Sequence, residues 1–447
     1  MTPNKSPSFR AALKQELPTW EQEGIVTADA AQRLTARYDL DKLSTESSSL
    51  LAAMIFTLGG LLLGGGLISF VAANWEAVPT TAKVALLLTL LLTFHLAGYW
   101  LWHQKGWSRL GHSLVFTGSL VFGPNIGLMA QIFHVSGEWY GAFGAWALGS
   151  LVMAYAARSW LTGLLALITA VTWFQGISHE HPSAWMMILP LLIAALFLPL
   201  AWQLRSRVLY VASYAGITFM LCSFAAERYS SGKYVLITMI VGGFAAWAAG
   251  EFHRVKNLRP EFGNPTAALG ILILGGSAYI WSFHWWWRDR DWAASSSDVA
   301  SPKFYWAIPT LIIALIGLAL VVLVIQQLSA AGERRLLILG ITVAAAILIL
   351  CALIGGANRG DMTLLTISVN FAALIIAAVA IAIGVMDERR LAFWTGTLFT
   401  MLLILSRFLE YETSLLTKSA AFTLCGVAMI AAGIAYENHL RRKEAIV

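Results

Sequence analysis

Leu50-Leu-Ala-Ala-Met-Ile-Phe-Thr-Leu-Gly-Gly-Leu-Leu-Leu-Gly-Gly-Gly-Leu-Ile-Ser-Phe-Val71 runs for 22 residues without a charged side chain. A helix needs about 20 apolar residues to cross the hydrocarbon core of a bilayer, where each backbone N–H and C=O has to be satisfied within the segment. This run is followed by others of the same kind. The spans are expected at approximately 50–72, 82–102, 111–130, 141–157, 161–177, 184–202, 208–226, 234–250, 266–286, 305–325, 336–356, 363–386, 391–409 and 418–436. The pattern predicts an all-α fold: a polytopic bundle of about 14 transmembrane helices behind a short N-terminal helical hairpin.

Composition narrows the function classes. Only 12% of the 447 residues are charged, about half the share of a soluble domain, so no large soluble catalytic domain fits. The net charge of +6 sits at segment ends and reads as topology rather than as a nucleic-acid footprint. With the N-terminus inside, 21 of the 30 Lys and Arg residues fall on the cytoplasmic side. The positive-inside rule then places both termini in the cytoplasm and requires an even number of spans. The sequence divides into residues 1–49 (hairpin and linker), 50–157 (spans 1–4) and 158–447 (spans 5–14 and a short tail).

In the head, Leu13, Leu17 and Trp20 recur at helical spacing, with Pro18 marking a kink. Gly24 is a natural stop and Thr27 an N-cap, with Asp29 in the first turn. Ala30, Leu34 and Tyr38 continue one face. A hairpin this small buries too little to be stable alone. It is expected to dock, so residues 8–40 are a candidate surface for a protein partner or for self-association. Six basic residues against seven acidic ones in the head argue against nucleic acid.

The polar residues that interrupt the runs are few. Asn74, Trp75 and Glu76 return with Gln131 and His134 at outer ends of early spans. Gln131 and His134 are i, i+3 and share a face if the helix persists, and Glu76 paired with His134 would form a proton-responsive couple. Gly123-Pro-Asn-Ile-Gly127 places Pro124 and Asn125 in the third span. The alternatives there are tight helix packing and a broken helix at a binding site. Arg407 and Glu410, again i, i+3, are expected to form an ion pair near membrane depth. His95 and Asn370 read as hydrogen-bonded packing residues. His179-Glu-His181 offers ligand types for a metal, but alternating residues do not share a helix face. The Trp281–Trp287 cluster reads as an aromatic belt. Cys222, Cys351 and Cys425 read as buried small hydrophobes. No catalytic, metal or cofactor motif is found.

Leu17, Trp20, Gly24-Ile25, Ala31 and Leu34, then Phe70-Val-Ala-Ala-Asn74-Trp75 with Pro79, then Gly127-Leu128, Gln131-Ile-Phe-His134 and Trp146-Ala-Leu-Gly149, resemble domain-of-unknown-function family 2157, a family of bacterial polytopic membrane proteins. The resemblance covers about residues 10–155. Arg407-Phe408, Ala421-Phe422, Gly426 and Glu437 are similar to the tails of such proteins. It implies a bacterial inner-membrane protein and leaves the activity open. Three readings compete: a bundle that transports or binds a small or lipid-like molecule, a structural or assembly protein recruiting a partner through its hairpin, and an outer-face enzyme using Glu76, His134 or the His179/His181 loop. Apart from the lipid bilayer, the partners expected are therefore that molecule or a protein.

Overall fold

The computed structural model describes residues 7–38, 77–181, 183–228, 232–284, 332–355, 362–410 and 414–444, with 287, 324, 326 and 328. The chain divides into two compact units, 1–86 and 87–447. Described residues form helices α1 (Pro7–Gln22), α2 (Ala28–Tyr38), α3 (Thr80–His103), α4 (Ser108–Ile132), α5 (Trp139–Ala156), α6 (Trp160–Glu180), α7 (Ile188–Gln203), α8 (Arg207–Arg228), α9 (Gly232–Val255), α10 (Pro260–Trp281), α11 (Arg335–Gly355), α12 (Met362–Met386), α13 (Arg390–Glu410) and α14 (Leu415–Glu444). The fold is all-α and multi-pass.

In the first unit α1 and α2 form the hairpin. Leu13, Leu17 and Ala31 are buried, with Trp20, Val26, Leu34 and Tyr38 packed around them. Gly24 takes the left-handed conformation at φ 71° that a residue without Cβ adopts freely. The Thr27 hydroxyl accepts from the Ala30 N–H at 3.4 Å, as an N-cap should. Pro18 does not end α1, which continues to Gln22, and Ala31 rather than Ala30 is the buried alanine of α2.

Nine of the described helices are long and apolar enough to cross a membrane. The expected runs at 50–72 and 305–325 lie outside the described residues; each of the others coincides with a helix. Helix α7 has only 16 residues, but a 3₁₀ turn at Ala184–Met187 leads directly into it and extends its reach.

Sequential helices pair as antiparallel hairpins, and the most extensive contacts are α9 with α10 and α5 with α6. The hairpin connections on one side share a device: a residue in the left-handed region follows the helix end. These are Gly106 (φ 70°), Arg158 (49°), Arg205 (52°), Asn257 (49°) and Glu388 (55°), and Gly332 (51°) takes the same conformation just before α11. Such a residue turns the chain out of a helix and frees the next to begin. Ser159 and Ser206 follow at once and cap α6 and α8, accepting from Thr162 N and Leu209 N at 3.4 and 3.2 Å. Pro260 opens α10 at a position where its missing N–H is harmless. We call this side the turn face.

Two apolar cores lie within the second unit. One joins α5 to α6–α8 through Ala154, Phe174, Phe197, Leu200, Leu209 and Met220; its packing runs across residue 157. The other joins α9–α13 through Ile240, Trp247, Leu274, Ile341, Leu348, Val369 and Ile376. Helix α14 adds to α13 by stacking Tyr436 on Phe393 at 4.0 Å. Helices α3 and α14 are barely buried, as expected of helices whose solvent is lipid.

Candidate functional site

The second core is apolar, and a part-buried ion-pair network lies at each end of it. At the turn face, Glu251 in the last turns of α9 is 2% exposed. Its carboxylate accepts from Arg254 one helical turn on, at 2.5 Å, and from Arg334 at 3.4 Å. Arg334 also binds Asp387, which follows α12, and Arg389 lies 3.9 Å from the same carboxylate. Burial by itself would depress the Arg334 guanidinium; the hydrogen bond with Asp387 and the charge of Glu251 outweigh it and hold its pKa above the ordinary arginine value. Three turns far apart in sequence are tied together here by two carboxylates and three guanidiniums.

At the opposite face the hub is Arg407 of α13. It pairs with Glu410, donates to the Ser282 carbonyl at 2.6 Å and to the Ser282 hydroxyl at 3.2 Å, and lies 4.2 Å over the Phe283 ring. Asn370 of α12 donates to the same Ser282 carbonyl at 2.9 Å and to Thr366 O at 2.8 Å. Glu410 accepts from the His284 N–H. The C-terminal end of α10, where carbonyls lack intrahelical partners and cations are favoured, is therefore capped by a guanidinium and an amide from two neighbouring helices. Trp287 donates to Trp281 O at 2.8 Å and both indoles are buried, so these two belong to the core rather than to an aromatic belt.

The other expected residues are placed differently. Asn125 is 5% exposed and donates to Leu87 O of α3 at 3.0 Å, which ties α3 to α4. Gly123 receives the Trp146 indole, whose N–H donates to Ser119 O at 2.7 Å, whereas nothing lies within 4 Å of a Cβ on Gly127. The Gly123–Gly127 pair is thus a seat for an indole and not a crossing of two backbones. Helix α4 ends at Ile132 and His134 is left-handed at φ 50°, so Gln131 and His134 do not share a helical face; both are exposed. Asn74, Trp75 and Glu76 lie outside the described residues. His179 stands 3.8 Å from Glu227, which also accepts from Ser178 at 2.9 Å. Among the described residues no three ligand-type side chains gather as a metal site would require. His95 bonds its own helix at Leu91 O, 2.9 Å away.

Residues 18–163 match a family model described as predicted membrane protein (DUF2157). Over that stretch the chain is similar to this family. No curated protein and no solved structure matches the chain. The matched segment contains α2 to α5 and ends at the start of α6, so both ion-pair networks lie beyond it. The turn-face network was not anticipated from sequence, although Glu251 and Arg254 repeat the i, i+3 acid–arginine spacing that drew attention to Arg407 and Glu410.

Proposed function

We propose that the bundle moves a small or lipid-like molecule across a bacterial inner membrane, with its turn face and both termini in the cytoplasm. The observation that carries this reading is the pair of part-buried ion networks at opposite ends of one apolar core. Replacing a buried ion pair with well-packed hydrophobic residues is often neutral or stabilising, so retaining one argues for registry or switching more than for stability. Each network spans helices from different hairpins and closes one end of the same packed layer. Bundles that alternate between two faces need closures of that kind. The basic turns, with Lys105, Arg158, Arg205, Lys256, Arg335 and Arg390, support a cytoplasmic turn face.

The test uses the full chain reconstituted in vesicles, with Cys222, Cys351 and Cys425 replaced by alanine and Ile376→Cys as a reporter in the closed core. Labelling by a membrane-impermeant maleimide should rise from the turn side in E251Q and from the opposite side in R407Q, and vesicles carrying a fluorescent phospholipid should flip it faster than protein-free vesicles. Labelling that is the same in all variants, with no lipid flipping, would overturn the proposal.

A second reading, assembly through the head, is favoured by a cleft of about 390 Å³ between α1 and α2, lined by Lys14, Leu17, Glu21, Ala28, Gln32 and Thr35 among others. Under that reading Ala28→Trp, which fills the cleft, abolishes association and leaves the reporter labelling unchanged.

A further inference from the structure

The turns that join α3 to α4 and α5 to α6 carry positive charge with no carboxylate of their own. Lys105 stands two residues past α3 and Arg158 two residues past α5, at the level where spans end and headgroups begin. Both side chains are exposed. Residues 77–137 and 139–179 contain no Asp or Glu, and the acids that bound these stretches, Glu138 and Glu180, lie at the opposite face. The turn-face ends of α9 and α12, by contrast, bring their own carboxylates in Glu251 and Asp387.

The two basic turns adjoin. His112 donates from Nε2 to the Ala157 carbonyl at 3.1 Å, and it lies four residues into α4, about 6 Å from its start. The backbone of Arg158, next in the chain to Ala157, is therefore held about one helical turn from the start of α4. Helix α3 is drawn in on the other side. A Cβ on Gly98 would fall 2.8 Å from the Gly111 oxygen, and one on Gly111 would fall 2.7 Å from the Gly98 oxygen. No side chain caps the start of α4, so its first N–H groups add the positive end of the helix dipole to the two cations. Lys105 lies 5.2 Å over the Trp100 ring, and Trp107 is exposed; indoles settle at headgroup depth. Arg158 stands at φ 49°, where glycine would make the turn without strain, as Gly106 does at φ 70°. An arginine in that position points to a use for its guanidinium outside the turn.

We infer that these two turns bind the phosphate of one anionic phospholipid from the surrounding leaflet. Lys105 and Arg158 neutralise its charge, and the first N–H groups of α4 donate to its oxygens. Trp100 and Trp107 lie beside the glycerol and the first part of the acyl chains. A zwitterionic lipid also carries an ammonium, for which these turns offer no carboxylate, so an anionic headgroup is the one that fits. The bound lipid joins the α3–α4 hairpin to the α5–α6 hairpin, whether or not the bundle transports anything.

Native mass spectrometry of the full chain in a neutral detergent tests this, with phosphatidylglycerol titrated against phosphatidylcholine. The wild type should retain one phosphatidylglycerol under conditions that strip phosphatidylcholine, and equal retention of the two would overturn the inference. At about fivefold per cation beside an anionic headgroup, K105Q combined with R158Q should weaken that binding about thirtyfold. K256Q combined with R335Q removes the same charge from exposed positions elsewhere on the turn face and should leave it nearly unchanged. Equal weakening by the two pairs would mean general attraction to a basic surface and no site. R158G separates binding from folding: it should lose about fivefold in lipid affinity while its melting temperature in lipid-free detergent holds or rises. A fall in both would make Arg158 a structural residue and overturn its place in the site. Glycerol 3-phosphate in large excess should not displace the lipid, and displacement would overturn the assignment to a membrane lipid in favour of a soluble phosphate.

Discussion

Glu251 shows how much can hang on one carboxylate. It accepts from two guanidiniums while almost fully buried. Removing one partner of a buried pair leaves the other charge uncompensated, which destabilises by about 3–5 kcal/mol. We therefore expect E251A to lower unfolding stability in detergent by about that amount. R390A should change it by no more than about 1 kcal/mol, because Arg390 and Glu437 pair at 3.1 Å with side chains 63% and 39% exposed. Denaturant titration of both variants checks the contrast, and equal effects would mean that burial is not what gives the Glu251 network its weight. The same two sites show what was legible at this scale. Arg407 and Glu410 are three residues apart, so helical spacing alone brings them together. Arg334 lies 83 residues from Glu251 and 53 from Asp387, and only the packing of hairpins joins them. Gln131 and His134 leave their shared face for a local reason: neither glycine nor proline marks the left-handed residue, His134, that follows the end of α4.

At the scale of the element, run length and hydropathy located the helices, because backbone satisfaction in lipid leaves few alternatives. What they left hidden was how closely each hairpin is drawn together. A Cβ on Gly250 would fall 2.5 Å from Ala267 N and 2.6 Å from Gly263 O, backbone atoms that cannot swing aside. G250A should force α9 and α10 apart and cost about 1–3 kcal/mol, while G127A, with open space around it, should be neutral or stabilise α4 by up to about 1 kcal/mol through helix propensity. Thermal unfolding of the pair separates packing from propensity, and a destabilised G127A would mean that a side chain at 127 does meet a neighbour. The turns carry their own expectation. Arg158 sits at φ 49°, where an L-residue other than glycine pays about 1–2 kcal/mol. R158G should recover part of that strain, and its melting temperature should rise; a fall would mean that the arginine side chain contributes more than its backbone loses.

For the whole molecule, the turn face and the opposite face differ in charge as well as in geometry. Exposed Lys105, Arg158, Arg205, Arg207, Lys256, Arg335 and Arg390 all belong to the turn face, whereas the described α4–α5 connection, from Phe133 to Glu138, contains no Lys or Arg. Short loops rich in Lys and Arg resist translocation, so the asymmetry bears directly on orientation. Single cysteines at Arg205 and at Gly137, each in the background lacking native cysteines, report it. In intact cells whose outer membrane has been made permeable, an impermeant maleimide should label Gly137→Cys and leave Arg205→Cys unlabelled until the inner membrane is opened. The reverse pattern would invert the bundle.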